Sequence, residues 1–368
     1  MASQRSRREF LRGVSAGDPA GHALPGRDEP GVEPASRGGI YAVHVSRKAM
    51  ACEFEVVLNA GQYDSGMEVA LDALDLVEQL EAQLSYFRRD SEIGRINRLA
   101  AQEPVVVEQR LFTLLARAAE IHQETDGAFD LTATPLWKAW GFARGEGRLP
   151  SEEEIDEALT TVGGSLVELN AENRTVRFLK PGVELNLGSI GKGYALDRVA
   201  EVLDASGIHD CLVQGGQSSV AAKGARLSGT DPDGWLVGLG HPLRPGTRLG
   251  YVRVRDRALG TSGSASQFFR HKGRRYSHII DPRTGRPAES VLSATVLAPD
   301  AALADALATS FFVMGREKAA DYCANHPELG AILICPASGS PGFEVHAIGV
   351  PEADFLPNTI GADGSETG

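Results

Sequence analysis

A chain of 368 residues with 42% hydrophobic and 23% charged content has a globular composition, enough for one large domain or two of ordinary size. Its formal net charge of −12 argues against a broad nucleic-acid or anionic-membrane surface and points to a small molecule or another protein as partner. No run is apolar enough for a transmembrane segment, and 42 glycines, against roughly 26 at an average usage of ~7%, predict a fold with many turns.

Residues 1–39 are rich in Gly, Pro, Arg and Glu and are expected to be a disordered arm. Within them Ser6-Arg7-Arg8-Glu9-Phe10-Leu11-Arg12 matches a twin-arginine export motif, but the "GVSAGDPAGHALPGRDEPG" that follows has no apolar h-region. As it stands the motif predicts no export, hence a cytoplasmic location. Two strand-like runs, "IYAVHVS" and "FEVVLNA", open the ordered region, expected over 40–350. A long helix follows, with Met67, Leu71, Leu74, Val77, Leu80 and Leu84 as its core stripe. A second helix, "RLFTLLARAAEIHQETDG", is expected to be capped by Gly127, and a third starts at Ser151, whose spacing from Glu154 is that of a capping box.

From Ser165 short β-rich segments dominate: "LVEL", "TVRFL", "VELNL", "CLVQ", "SVAAKG", "WLVGLG", "LGYVRVRD", "YSHII" and "SATVLA". Many short strands with few βα alternations predict an α+β fold. A strong helix, "DAALADALATSFFVMG", ends at Gly315, and residues 351–368 carry no periodicity and are expected to be a disordered tail. Cys52, Cys211, Cys323 and Cys335 lack metal-ligand spacing and read as small buried hydrophobes.

Five segments carry candidate chemistry. "LNLGSIGKGYALD" (185–197) runs from an apolar stretch through Gly188, Gly191, Lys192 and Gly193 into a helix predicted near Tyr194, an arrangement that suits an anion. It is shorter than a P-loop, with two residues instead of four before the Gly-Lys. Asp305 and Thr309, four apart, share a helix face and offer hard oxygen ligands to Mg²⁺. "ETDGAFDLT", "LVQGGQSS" and "SHIIDPRTG" complete the set. In isolation each also reads as a turn, a bulge or a core histidine.

In order, "MACEFEVVL", "LSYFRRDSEIGRIN", "TDGAFDLT", "LNLGSIGKGYALD", "GGQSS", "YSHIIDPRTGRP" and "ADALATSFFVMG" resemble the ApbE-like family of FAD:protein FMN transferases over about residues 41–350. The resemblance implies an ApbE-like, T-fold-related architecture with mixed or antiparallel sheets and flanking helices. It implies FAD as substrate, Mg²⁺ as cofactor, and transfer of FMN through its phosphate to a Thr or Ser of an acceptor redox flavoprotein, with AMP released. Met50, Phe87, Ala128, Phe129, Asp130, Asn186, Lys192 and Ile279 would surround FAD. Asp305, Thr309 and the Ser189 carbonyl would take the metal. Lys192 would neutralise transition-state charge, and His278 would act as general base or phosphate donor.

By the same resemblance the location would be periplasmic, and a metal-dependent FAD pyrophosphatase or a flavin-binding protein without turnover are the alternatives. The sequence departs from the family pattern at Asn186 and Gln217, where carboxylates are usual and would stand close to metal and flavin. It departs also at Tyr86-Phe87 and at the "MAC" of Met50–Cys52. "TSGSAS" (261–266) reads as part of the site.

Overall fold

Along Cys52–Asn59 the side chains of Phe54, Val56 and Leu58 enter one hydrophobic cluster and Val57 another. The same alternation separates Ala258 from Leu259, Val296 from Leu297 and Leu333 from Ile332. A strand with period-two side chains and apolar residues at every position must be covered on both faces. That is the case here. In the computed structural model, which describes residues 41–227, 233–244, 246–265, 267–337 and 342–358, eight strands form one sheet. Their spatial order is Ala42–Ala49, Cys52–Asn59, Cys211–Gly215, Ser219–Lys223, Arg257–Gly263, Ser293–Ala298, Gly330–Pro336 and Phe343–Ile348, and each neighbouring pair is antiparallel.

Helices Gly66–Leu84, Gly191–Ala205 and Ala301–Met314 cover one face. The other is covered by a three-stranded sheet of Trp235–Gly240, Arg248–Val254 and Phe355–Pro357, whose Trp235, Val252 and Val254 pack on Val57, Val220 and Leu259. The fold is therefore α+β, as expected, with antiparallel ladders among the described residues.

Several expectations need correction. Phe355–Pro357 pairs with Arg248–Val254, so order extends past 350; the arm over 1–39 and the rest of the tail lie outside the described residues. Met67 and Leu71 are exposed, and Ala70 and Ala73 take their places in the core with Leu74, Val77, Leu80 and Leu84. Small residues let the start of the helix approach the sheet where larger ones would hold it off. At the end of Gln109–Glu124 it is Asp126 (φ 50°) that first turns left-handed, with Gly127 following; Asp126 N–H bonds the Gln123 carbonyl and Gly127 N–H the His122 carbonyl. The Ser151 and Glu154 capping box forms as read. Cys211 and Cys323 are buried, but Cys52 and Cys335 are only partly so.

Candidate active site

"VELNL" forms no strand. The Leu185 N–H donates to Asn97 Oδ1 and its carbonyl accepts from Asn97 Nδ2, while the Asn186 N–H bonds the Leu131 carbonyl. A side chain thus replaces a neighbouring strand and leaves the segment free to turn. The turn follows at once, as Asn186 Oδ1 accepts the Gly188 N–H at 2.9 Å. The helix then begins at Gly191, three residues before Tyr194, and places Lys192 in its first turn.

This helix crosses the start of Ala301–Met314 at very close range. A Cβ on Gly193 would lie 2.0 Å from the Ala301 carbonyl oxygen, and one on Gly260 would lie 2.5 Å from that of Ala304. Glycine is needed at both positions for the backbones to meet. The Ala301–Met314 helix is apolar almost all round and buried, capped by Asp300, which accepts from the Leu303 N–H, and ended by Gly315 (φ 82°).

The crossing creates a reciprocal pair. Asp305, on the second helix, accepts the Gly193 N–H of the first at 2.8 Å through Oδ2, and the Ser219 hydroxyl at 2.7 Å through Oδ1. Asp197, on the first helix, accepts the Ala301 and Ala302 N–H groups of the second at 2.7 and 2.9 Å. Each carboxylate caps the other helix's N-terminus, where the dipole favours negative charge. The N–H of Gly193 is therefore not left for an anion; of the short glycine loop, Lys192 remains.

The two surroundings differ. Burial pushes the Asp305 carboxyl up, opposed by Lys192, the Ser219 hydroxyl and the Gly193 N–H. Burial and the Asp300 carboxylate push Asp197 up to about 7 against the Ala301 and Ala302 N–H groups and Arg117. Arg117 is itself held by Asp300 in a fork of 2.8 and 2.7 Å. Asp197 thus faces a cleft whose nearest charges already pair, whereas Asp305 faces a cavity with a lysine.

That cavity, of about 520 Å³, falls in the size range of ligand sites. It brings together Phe87, Ala128, Asp130, Asn186, Ser189, Lys192, His278, Ile279, Asp305 and Thr309. It does not include Met50 or Phe129. Met50 sits in the tight turn between the first two strands, both central residues of which have positive φ (Met50 48°, Ala51 60°), and its N–H bonds Glu81. Phe129 is buried in the main core, and its carbonyl holds His122 Nδ1 at 2.8 Å. Gln217 is exposed and does not line the cavity; the turn presents Ser218 there instead. Asp130 is engaged by the Thr132 N–H and hydroxyl at 2.7 and 2.6 Å and by His122 at 3.3 Å.

His278 Nδ1 lies 3.0 Å from the Gln267 carbonyl, which can only accept, so Nδ1 carries the proton and Nε2 of the neutral ring is the acceptor. Burial and Lys192 push its pKa down against the pull of that carbonyl, which keeps the ring neutral around pH 7.

Sequence reasoning missed three contributors. Trp137 lines the cavity beside the exposed Phe87, at 6.5 Å between ring centroids. Ser219 fixes Asp305, and Cys52 is coupled electrostatically to Lys192 and Asp305. Only a fold that joins residues 52, 192, 219 and 305 makes these visible.

The donor set for a metal is oxygen alone. Asp305 supplies a carboxylate, Thr309 a hydroxyl 3.0 Å from that of Ser262, and Ser189 lines the same cavity. No group of three or more His, Cys, Asp or Glu gathers among the described residues. One carboxylate with neutral oxygens fits Mg²⁺ of the kind whose shell is completed by water and substrate phosphate.

The sequence profile of the ApbE family matches residues 50–333. The FAD:protein FMN transferase of Vibrio cholerae is 33% identical over 287 residues, covering 75% of this chain and 82% of that protein. That of Treponema pallidum is 34% identical over 277 residues, covering 72% and 76%. Among solved structures, the flavin transferase ApbE from Vibrio cholerae superposes with a TM-score of 0.72 at 30% identity, over 84% of this chain and 97% of that one. The ApbE protein from Thermotoga maritima gives 0.72 at 29%, over 83% and 96%.

Proposed function

Because the chain belongs to the ApbE family and is a flavin transferase, we propose that it cleaves FAD in the cavity of Lys192 and Asp305 and transfers FMN to a Thr or Ser hydroxyl of an acceptor flavoprotein. The observation that carries this reading is the placement of Asp305 at the helix crossing, beside Lys192 and facing a cavity of ligand size. Asp305, Thr309 and the Ser189 carbonyl would hold Mg²⁺, which supplies charge neutralisation for pyrophosphate oxygens when bound.

The chain's own groups then have distinct tasks. Lys192 binds a phosphate oxygen and stabilises the charge that builds during transfer. Ser219 and the Gly193 N–H keep the Asp305 carboxylate in one orientation. Phe87 and Trp137 offer aromatic faces for the isoalloxazine ring. Neutral His278, with Nε2 free to accept, takes the proton of the acceptor hydroxyl as its oxygen bonds to the FMN phosphorus. The bond from that phosphorus to the bridging oxygen breaks, and AMP carries the oxygen away.

The test is incubation of a Thr-containing acceptor with FAD and Mg²⁺, with the acceptor's mass and free nucleotides read together. An acceptor heavier by FMN with equimolar AMP is the expected result. Free FMN with AMP and an unmodified acceptor would instead identify a pyrophosphatase. Intact FAD would identify a binding protein.

A further inference from the structure

Phe268–His271 and Arg274–Ser277 form a separate two-stranded hairpin beside the cavity, for Gln267 and His278, the residues that flank it, both line the cavity wall. Its register places Phe269 opposite Tyr276 and Arg270 opposite Arg275, and successive pairs alternate in face. One face is anchored. Phe269 and Tyr276 stack at 5.0 Å and pack on Trp140, and Phe269 also on Phe142.

The other face carries Phe268, Arg270 and Arg275. Like charges directly opposite each other destabilise a strand pair, and among the described residues no carboxylate forms an ion pair with either arginine. Arg274, by contrast, is held by Glu289 at 2.9 Å. Arg275 donates to the Ser264 carbonyl through Nη2, but its Nε is buried without a hydrogen-bond partner. Its guanidinium carbon lies 3.9 Å from the centroid of the Phe268 ring, and that of Arg270 lies 5.9 Å away. Lys272 is exposed in the turn. Like-charged guanidinium groups around a half-exposed aromatic ring, on a chain of net charge −12, form a local site for negative charge.

The anion it fits is not the substrate inside the chamber, since Arg270, Lys272 and Arg275 do not line the cavity. We propose that the hairpin is the docking face for the acceptor protein, and that it recognises acidic side chains flanking the acceptor's target hydroxyl. This rests on the reading of the chain as a transferase that modifies a protein. An acidic partner would be repelled by the net negative charge of the chain and steered to this basic element beside the cavity.

The test uses the full chain with FAD and Mg²⁺ and two fluorescent peptides, each with one Thr, flanked in one by Asp and Glu and in the other by Asn and Gln. Binding is read by anisotropy and labelling by mass. The acidic peptide should bind about tenfold more tightly at low salt. That preference should fade at high salt and vanish in R270E/K272E, while AMP release without peptide stays at the wild-type rate. Equal binding of the two peptides, or an undiminished preference in the variant, overturns the proposal. So does a variant with weakened FAD affinity, which would assign the arginines to the dinucleotide. Acidic peptide that binds selectively but stays unlabelled would count against the transferase reading and leave the docking face standing.

Discussion

Asp305 and Asp197 make nearly the same contact from opposite sides of one helix crossing, yet they stand in different chemistry. Asp305 is buried and Asp197 half-buried, each accepts backbone N–H from the first turn of the facing helix (one for Asp305, two for Asp197), and each has its carboxyl pushed up by desolvation. Asp197 spends both oxygens on backbone and sits behind a closed Arg117–Asp300 pair. Asp305 adds a hydroxyl from the central sheet, a lysine and an open cavity. A desolvated carboxylate held at a helix start is therefore not a functional signal by itself. What distinguishes Asp305 is that the lysine beside it forms no ion pair among the described residues, whereas the Arg117 beside Asp197 is already held by Asp300.

Four substitutions separate the two, beginning with the largest effect. Asp305→Asn keeps the shape and an acceptor oxygen but removes the charge, and AMP release should fall on the order of 10³-fold, the scale of several kcal/mol of charge stabilisation. A loss below tenfold at limiting Mg²⁺ would remove Asp305 from the metal. Lys192→Met should weaken FAD binding or slow transfer roughly 10²-fold, with riboflavin, which lacks phosphate, bound nearly as before. Equal losses for both flavins would make Lys192 a structural residue. Ser219→Ala leaves Asp305 charged but loosely oriented, so the Mg²⁺ concentration for half-maximal AMP release should rise about tenfold. An unmoved Mg²⁺ curve would show that the Ser219 contact only packs the core.

Asp197→Asn should have the smallest effect on turnover and act on stability instead. The native carboxyl keeps its proton up to about pH 7, while the unfolded chain releases it near 3.8, so this group's contribution is fully present below 3.8 and is lost as pH rises through 7. Asn has no such loss. The melting temperature of wild type should therefore fall relative to Asp197→Asn between pH 5 and 8, as read by thermal scans across that range. Parallel curves would mean that Asp197 is ionised throughout.

The sequence disclosed elements whose pattern is local and concealed those set by distant partners. Cys52–Asn59, Ser293–Ala298 and Ala301–Met314 were legible because an apolar run with clear ends has few alternatives. The segment 183–187 has the same apolar alternation, but the Asn97 side chain, 88 residues away from Leu185 along the chain, and the Leu131 carbonyl take backbone groups that a strand partner would use. Arg257–Gly263 was hidden for the opposite reason: Gly260 and Gly263 weaken its strand signal, while the segment is held in the central sheet by neighbours on both sides and Gly260 is kept small by the Ala304 carbonyl.

The site divides in the same way. Lys192, Asp305 and Thr309 stand in recognisable motifs, and the cavity gathers them. Met50 and Phe129 belong to equally recognisable motifs but serve a turn and the core. A motif marks a shape of chain; whether its side chain reaches a ligand depends on which face the fold leaves open.

The most direct measurement is the initial rate of FMN addition to an acceptor protein, by intact mass, for wild type, Asp305→Asn and Asp197→Asn at saturating FAD and Mg²⁺. Wild type and Asp197→Asn should label the acceptor at rates within about threefold of each other, with loss on the order of 10³-fold in folded Asp305→Asn. Labelling by Asp305→Asn at the wild-type rate, or its loss in a stably folded Asp197→Asn, would contradict the assignment of Asp305 as the working carboxylate of the pair.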